Sequence, residues 1–433
     1  MEKNDVSMDN YWLGKYFLFR YSNGSFLNDF KKTICQKYNK KDIIFERLYA
    51  SSSSVLYYPL NNICQSKRSV LLVVHELSRT GAPVVVLDTA NVLVKNGFFV
   101  TVISLKNGPL MKEFLNIGVP VVVMPDMLHV QYFKSETIHF FRKMDLDVFF
   151  NEFDLTIFVT ATLFHFVERF FNSKKRIIWW IHEGSASYNL LNNFMPKNIT
   201  SNIKVVCGGE YAVSQLKLNG YHYYPTVLNY GVFDDSKRYS KINRNDSKVR
   251  FLLAGSIGER KGQVVLLNAI KELSDYYLEQ SEFIFVGEAY KGDVIGEEIT
   301  EKIKEYSMLN PNVIFLSSVS REELYKLYRT IDVLVLASYD DPMPVVATEN
   351  FMFENICLCT TSTGTSYYIE DGVNGFVFDT GDIDQLRKKI EYIVDHFGEL
   401  NVIRKKGRKI FDDYFDIKIF EKNILKLIGD EVK

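Results

Sequence analysis

A chain of 433 residues with a formal net charge of -1 is long enough for two hydrophobic cores, and it lacks the positive excess that nucleic-acid binding calls for. The longest apolar runs, 119–124 and 177–181, are strand-length, and Met1-Glu2-Lys3-Asn4-Asp5 does not open a signal peptide, so a cytoplasmic protein is expected. The five cysteines are odd in number and scattered: Cys207, Cys357 and Cys359 fall in apolar runs suited to reduced, packed thiols, and Cys357-Leu358-Cys359 is too tight for a CxxC pair, so no metal site is expected.

Residues 1–66 form an N-terminal extension. In it Phe26, Leu27, Phe30, Ile34 and Tyr38 fall near one face of a helix, with Lys31, Lys32, Lys37, Lys40 and Lys41 around it. Three roles fit that pattern: packing onto the next domain, an oligomer contact, or peripheral attachment to an anionic membrane surface at the inner face of the cell membrane. The serine run 51–54 reads as a joint. Strand patterns follow at 70–75, 98–104, 119–124, 155–161, 176–182 and 204–207, defining a domain over 67–233. The stretch 234–247, rich in Asp, Ser, Lys and Asn, is the expected linker. A second strand series, 250–254, 283–286, 312–316, 333–337, 356–360 and 375–378, builds a domain over 248–412, with a helix expected at 321–330. In 413–433, Phe411 just ahead and then Tyr414, Phe415, Ile419, Phe420, Ile424 and Leu427 mark apolar helical faces.

Strands alternating with helices imply parallel sheets covered on both faces. The expected α/β fold is therefore two doubly wound, Rossmann-like domains facing a central cleft, with ligands beyond the carboxyl ends of the strands. Four of the loops there carry chemistry. His75-Glu76-Leu77-Ser78-Arg79-Thr80-Gly81-Ala82-Pro83 leads into a helix expected from Val84 toward Lys95. Gly81 allows close backbone approach to a ligand, and Pro83 presets the first turn; the same residues also fit a plain strand-to-helix turn. GxGxxG is absent from this loop and GxxxxGK[ST] from the whole chain, which removes the main support for a nicotinamide dehydrogenase or a P-loop NTPase.

Trp179-Trp180-Ile181-His182-Glu183-Gly184 ends another strand. His182 is suited to donating to a sugar hydroxyl or positioning an acceptor, or else to a structural hydrogen bond, and the tryptophans to core on one side and a carbohydrate platform on the other. Ala254-Gly255-Ser256-Ile257-Gly258-Glu259-Arg260-Lys261-Gly262 opens the second domain. Its adjacent cations suit a leaving diphosphate, and a solvated surface pair is the alternative when they are read alone.

The fourth loop is the most informative. After the strand ending at Ala337, Asp341 and Glu349 are separated by seven residues, and Pro344 starts a helix that carries Glu349 one to two turns in. A helix N-terminus favours phosphate through its free amides and dipole, which leaves the flanking acids to hold hydroxyl groups. That is what a glycosyl donor requires.

In this order the segments resemble the retaining glycosyltransferases of family 4, which have the GT-B fold, over roughly residues 70–425. The segments are Ser78 to Pro83, Ile181-His182-Glu183, Val227-Leu228-Asn229-Tyr230-Gly231-Val232, Gly255 to Gly262, Phe285-Val286-Gly287, the acid-x7-acid run, Thr361-Ser362-Thr363-Gly364 and the stretch Ile369 to Phe376. The resemblance implies that Glu349 holds the nucleotide ribose, Asp341 contacts the transferred sugar, and Arg260 and Lys261 bind diphosphate. Amides around Met343, Pro344, Val345 and Val346 would cradle phosphates and sugar, with Gly81, Gly255 and Ser256 near the donor and His182 near the reacting sugar. A terminal helix would cross back to brace the first domain.

Two positions depart from the family pattern. The first acid is usually Glu, so Asp341 is one methylene short, and the arginine often found after the strand glycine is replaced by Ser256. What the resemblance implies is a metal-independent bacterial surface-glycan or capsule enzyme without a cofactor. It would move a sugar from a nucleoside diphosphate sugar to a glycan or lipid-linked glycan by a front-face route, with domain closure excluding water. A non-catalytic partner of a transferase, a sugar-nucleotide epimerase and a phosphorylase of like architecture are the competing classes.

Overall fold

The computed structural model describes residues 56–58, 68–123, 150, 153–239, 242 and 246–431. The helix expected around Phe26 and the serine run 51–54 lie outside them. The chain divides into two compact units. The first runs through Cys207 and takes in Leu216–Thr226 and the chain from Ile424 on; the second comprises Gly208–Gln215 and Val227–Asn423. The described residues of the polar stretch 234–247 thus lie inside the second unit, rather than between the two. Its start is tied down there, since Arg408 reaches Asp234 at 2.6 Å, and just ahead of it the Val232 amide donates to the Phe415 carbonyl and the Val232 carbonyl accepts from the Ile417 amide.

In the first unit the strands are β1 (Leu56–Tyr58), β2 (Ser69–Val74), β3 (Phe99–Ser104), β4 (Val121–Val123), β5 (Leu155–Val159), β6 (Ile177–Ile181), β7 (Ile203–Cys207) and β8 (Thr226–Val227). Their order is β1-β4-β3-β2-β5-β6-β7-β8. The chain winds outward from β2 through β3 to β4, returns beside β2 as β5, and continues the other way. The switch point is between β2 and β5, where Val70 stands opposite Leu155 and Val74 opposite Val159. All five residues of β5 and of β6 are buried, as expected of parallel strands with helices on both faces.

That burial corrects one expectation: Trp179 and Trp180 are 0% and 1% exposed, so both are core and neither offers a carbohydrate platform. Strand β1, in the extension, runs antiparallel to β4 with Leu56 opposite Val123. It is too short to show an alternating pattern in the sequence.

The second unit holds a wholly parallel sheet of β9 (Val249–Ala254), β10 (Ser281–Val286), β11 (Val313–Leu316), β12 (Val333–Leu336), β13 (Ile356–Thr360) and β14 (Phe376–Phe378), in the order β11-β10-β9-β12-β13-β14. Its switch point is between β9 and β12, the strands that precede the Gly255 loop and the Asp341 loop. Phe251 and Phe283 stack at 5.0 Å in the core beneath. Cys207, Cys357 and Cys359 are buried, and burial pushes the Cys357 thiol well up. Among the described residues no helix is long and apolar enough to cross a membrane.

Candidate nucleotide-sugar site

Parallel strands β9 and β12 are neighbours, so the loops leaving their carboxyl ends meet. The β9 loop crosses Gly255 at φ +150°, a conformation that excludes most side chains, and folds Glu259–Lys261 into one 3-10 turn. This turn is locked to the β12 loop from both directions: the Tyr339 amide donates to the Arg260 carbonyl (2.9 Å) and the Arg260 guanidinium donates to the Asp340 carbonyl (2.5 Å). Lys261 Nζ lies 2.5 Å from Asp341 Oδ2, with side chains only 18% and 9% exposed. The reading of Arg260 and Lys261 as a solvated surface pair is therefore overturned. Lys261 also lies over the strand-end glycine, since a Cβ on Gly255 would stand 3.7 Å from Lys261 Cε. Ser256 contributes its carbonyl, which accepts from Gln263 Nε2 at 2.9 Å.

Beyond Asp341 the chain passes Pro342 and Met343 and enters the helix Val345–Met352, with Pro344 as its N-cap residue. The amides of Val345 and Val346, at the first turn, have no acceptor within the helix. The loop is backed by Gly364, where a Cβ would fall 1.6 Å from the Pro342 carbonyl oxygen. Asp341 is pinned on both sides, its amide donating to Ser362 O (3.1 Å) and its carbonyl accepting from the Gly364 amide (2.8 Å). Tyr211 donates to Asp340 Oδ1 at 2.7 Å.

Glu349 occupies the fifth position of the helix and is almost wholly buried. Its Oε1 accepts from Arg321 Nε at 2.9 Å and from the Tyr325 hydroxyl at 3.3 Å, while its Oε2 faces the Tyr328 hydroxyl at 3.4 Å. Burial pushes its pKa up, and Arg321 is the largest opposing influence. Sequence reasoning missed Arg321, Tyr325 and Tyr328. A faint signal was present in Ser320 and Glu323, which form a capping box and so fix where the helix Arg321–Tyr328 begins. That helix ends two residues short of the expected 330.

In the first unit Gly81 begins the helix Gly81–Lys95, three residues before the expected start. A Cβ there would meet nothing within 4 Å. His182 follows β6 and His75 follows β2. His182 Nε2 and His75 Nδ1 are buried atoms without a hydrogen-bond partner, and burial, helped by His75, lowers His182 to about 3, so its imidazole is neutral at ordinary pH. The neighbouring Glu76 accepts from Ser78 Oγ (2.5 Å) and lies 3.8 Å from Lys106. Sequence reasoning did not single out His75, although it follows its strand just as His182 does. Of the expected site residues, the second unit brings together Gly255, Ser256, Arg260, Lys261, Asp341, Met343, Pro344, Val345, Val346 and Glu349, while Gly81 and His182 belong to the first. Among the described residues no three His, Cys, Asp or Glu side chains converge as a metal-ligand set.

Comparison with known proteins bears on the family and the fold. Residues 234–410 match the family described as glycosyl transferases group 1, and residues 65–197 match glycosyl-transferase family 4. Together these matches support a family 4-like glycosyltransferase. The Campylobacter jejuni enzyme named GalNAc-alpha-(1->4)-GalNAc-alpha-(1->3)-diNAcBac-PP-undecaprenol alpha-1,4-N-acetyl-D-galactosaminyltransferase is 28% identical over 171 residues, 39% of this chain and 44% of that one. A Methanocaldococcus jannaschii protein described as an uncharacterized glycosyltransferase is 24% identical over 206 residues, 47% and 53% of the two chains. The matches thus span about half the length of these curated relatives. Anabaena HepE, solved in complex with UDP, superposes with a TM-score of 0.67 at 16% identity, over 84% of this chain and 100% of that one. WaaG, a glycosyltransferase involved in lipopolysaccharide biosynthesis, gives 0.58 at 15% identity over 83% and 99%. These likenesses establish the GT-B fold, as expected from the sequence.

Proposed function

We propose that this protein transfers a sugar from a nucleoside diphosphate sugar to a hydroxyl of a growing glycan or lipid-linked glycan, with retention at the anomeric carbon and without a metal ion. The observation that carries this reading is the junction of the Arg260-Lys261 turn with the Asp340-Asp341 loop and the N-terminus of the helix Val345–Met352, at the switch point of the second sheet. Cations and helix amides there would neutralise a diphosphate, while Asp341 and Glu349 accept from sugar and ribose hydroxyls. In the front-face route the bond from C1 to the diphosphate oxygen breaks, and the acceptor oxygen bonds to C1 on the same face. The acceptor proton passes to the departing phosphate, whose charge Arg260 and Lys261 hold. His182, neutral, is suited to donate to a hydroxyl of the reacting sugar.

The similar proteins support the substrate classes: HepE is solved with UDP and UDP-glucose, and the Campylobacter enzyme is named for an undecaprenol-linked acceptor. An acceptor of that kind would bring this protein to the cytoplasmic face of a membrane. Its test is a panel of UDP-, GDP- and ADP-sugars with the purified chain, reading nucleotide release with and without EDTA and the product anomer by NMR. Release with one donor, insensitive to EDTA, lost in Lys261→Ala and giving the retained anomer, is expected. Failure to bind any donor would replace this reading with that of a non-catalytic partner, the class favoured by the shortened acid Asp341 and by Ser256.

A further inference from the structure

Glu349 is buried beside a guanidinium that is not. The Arg321 side chain is 46% exposed and the Glu349 side chain 3%, so the cation stands at the solvent edge and the carboxylate behind it. The groups facing this carboxylate are Arg321, Tyr325 and Tyr328 from one helix and Tyr230 from the chain ahead of β9, with Asp341 acting on Tyr230 and Asp235 on Tyr325. Burial pushes all three phenols well above their ordinary range, so they stay protonated and neutral. Of the groups named, only Arg321 is a cation. Burial raises the pKa of this carboxyl, and Arg321 opposes that most, with the Tyr325 and Tyr328 hydroxyl bonds behind it; a protonated carboxyl is a poorer acceptor for hydroxyl groups.

We infer that Arg321 is a positioning residue for nucleotide recognition: its Nε bond holds the buried Glu349 carboxylate ionised and fixed in orientation, so that the ribose hydroxyls of a nucleoside diphosphate can donate to it. The inference rests on the reading that Glu349 receives the ribose. Two observations support it beyond that reading. The guanidinium approaches the same oxygen, Oε1, as the Tyr325 hydroxyl, and Arg321 sits over the Tyr325 ring at 5.5 Å, so cation and phenol hold each other against one side of the carboxylate. The capping box of Ser320 and Glu323 fixes the helix start from which Arg321 projects.

Calorimetric titration of the full chain with UDP, GDP and ADP, and then with the 2′-deoxy and 3′-deoxy forms of the tightest binder, tests this between pH 6 and pH 8.5. The wild type is expected to prefer the ribonucleotide by roughly ten-fold or more throughout, the scale of a hydrogen bond to a charged acceptor. Arg321→Met should keep that preference at pH 8.5 and lose it toward pH 6, because its Glu349 titrates at higher pH; Arg321→Lys should restore most of it, and Glu349→Gln should lack it at every pH. A loss in Arg321→Met that is the same at all pH values, or that leaves the ribose preference intact, overturns the inference and assigns Arg321 a structural or direct contact. Ribonucleotide binding by the wild type with no ribose preference overturns it too, whereas no binding of any nucleotide by the wild type overturns the functional reading on which it stands.

Discussion

At the carboxyl ends of β9 and β12 the polar side chains are charged and paired, Lys261 with Asp341 and, one helix away, Arg321 with Glu349. At the ends of β2 and β6 they include His75 and His182, imidazoles that burial holds neutral and that keep ring nitrogens without partners. Both sheets have the same doubly wound topology, so the difference belongs to the loops. Paired charges can be rearranged to meet a ligand that carries fixed charge, such as a diphosphate. Neutral rings with spare nitrogens suit hydroxyl groups, to which they donate or from which they accept without a net change in charge. On the proposed reading, the second unit would take the nucleotide, and the neutral rings of the first would suit sugar hydroxyls.

The largest expected effect tests the charged side of that contrast. Lys261→Ala removes a cation and leaves the Asp341 carboxylate without its closest partner. Donor turnover, followed as nucleotide release, should fall by roughly 100- to 1000-fold, the range for loss of one preorganised stabilising group in a transition state. A change of less than about threefold would show that the diphosphate does not sit at this turn.

Next in size is Gly364→Ala. The new methyl would fall 1.6 Å from the Pro342 carbonyl oxygen, which is backbone and cannot swing aside, so the Asp341-to-Met343 segment must move. A destabilisation of about 1–3 kcal/mol is expected from such overpacking, measured as a lower urea midpoint, together with weaker nucleotide binding. Unchanged nucleotide affinity alongside lost stability would separate this loop from the binding site.

Much of this arrangement was legible in the sequence because it depends on local pattern. Runs such as 70–74 and 333–336 are apolar throughout and could only be strands covered on both faces. With parallel strands established, the Arg260-Lys261 loop and the Asp341 loop had to emerge at one edge of the sheet. What stayed hidden depends on distance in space. Nothing near Lys261 announces a partner 80 residues on, nor does anything near Glu349 announce Arg321, whose position reads as an ordinary charged helix start. The tryptophans misled for a similar reason, since an aromatic pair at a strand end looks alike whether the strand is central or at an edge. The position of β6 between β5 and β7 decides it.

His182 tests the neutral side of the contrast, through stability. Its pKa is about 3 in the folded chain against an ordinary 6.5, so between those values the unfolded chain binds the additional proton. The stability it contributes is therefore full above about pH 6.5 and is lost progressively as the pH falls toward 3. His182→Gln should lose less stability than the wild type when the pH is lowered from 7.5 to 5, measured as the difference in thermal midpoint. His75, also lowered by burial, contributes in the same direction, and His75→Gln should flatten the profile further. An unaltered profile in both variants would mean that the rings titrate in the folded chain as they do in the unfolded one, and the contrast between the two units would fail.

The smallest effect separates positioning from folding on the charged side. The Ser320 hydroxyl accepts from the Glu323 amide at 3.2 Å, and the Glu323 carboxylate reaches back to the Ser320 amide at 2.7 Å, closing the start of the helix that carries Arg321. Ser320→Ala opens one half of this cap, at a cost of about 1 kcal/mol, while Ser320→Asp supplies an equivalent acceptor and should cost little. Because Arg321 Nε remains within reach of Glu349 in both variants, the ribose preference should keep its wild-type independence of pH while overall stability falls slightly in the alanine variant. If Ser320→Ala instead reproduced the pH-dependent loss expected of Arg321→Met, the capped helix end, rather than the guanidinium alone, would be what keeps the Glu349 carboxylate ionised.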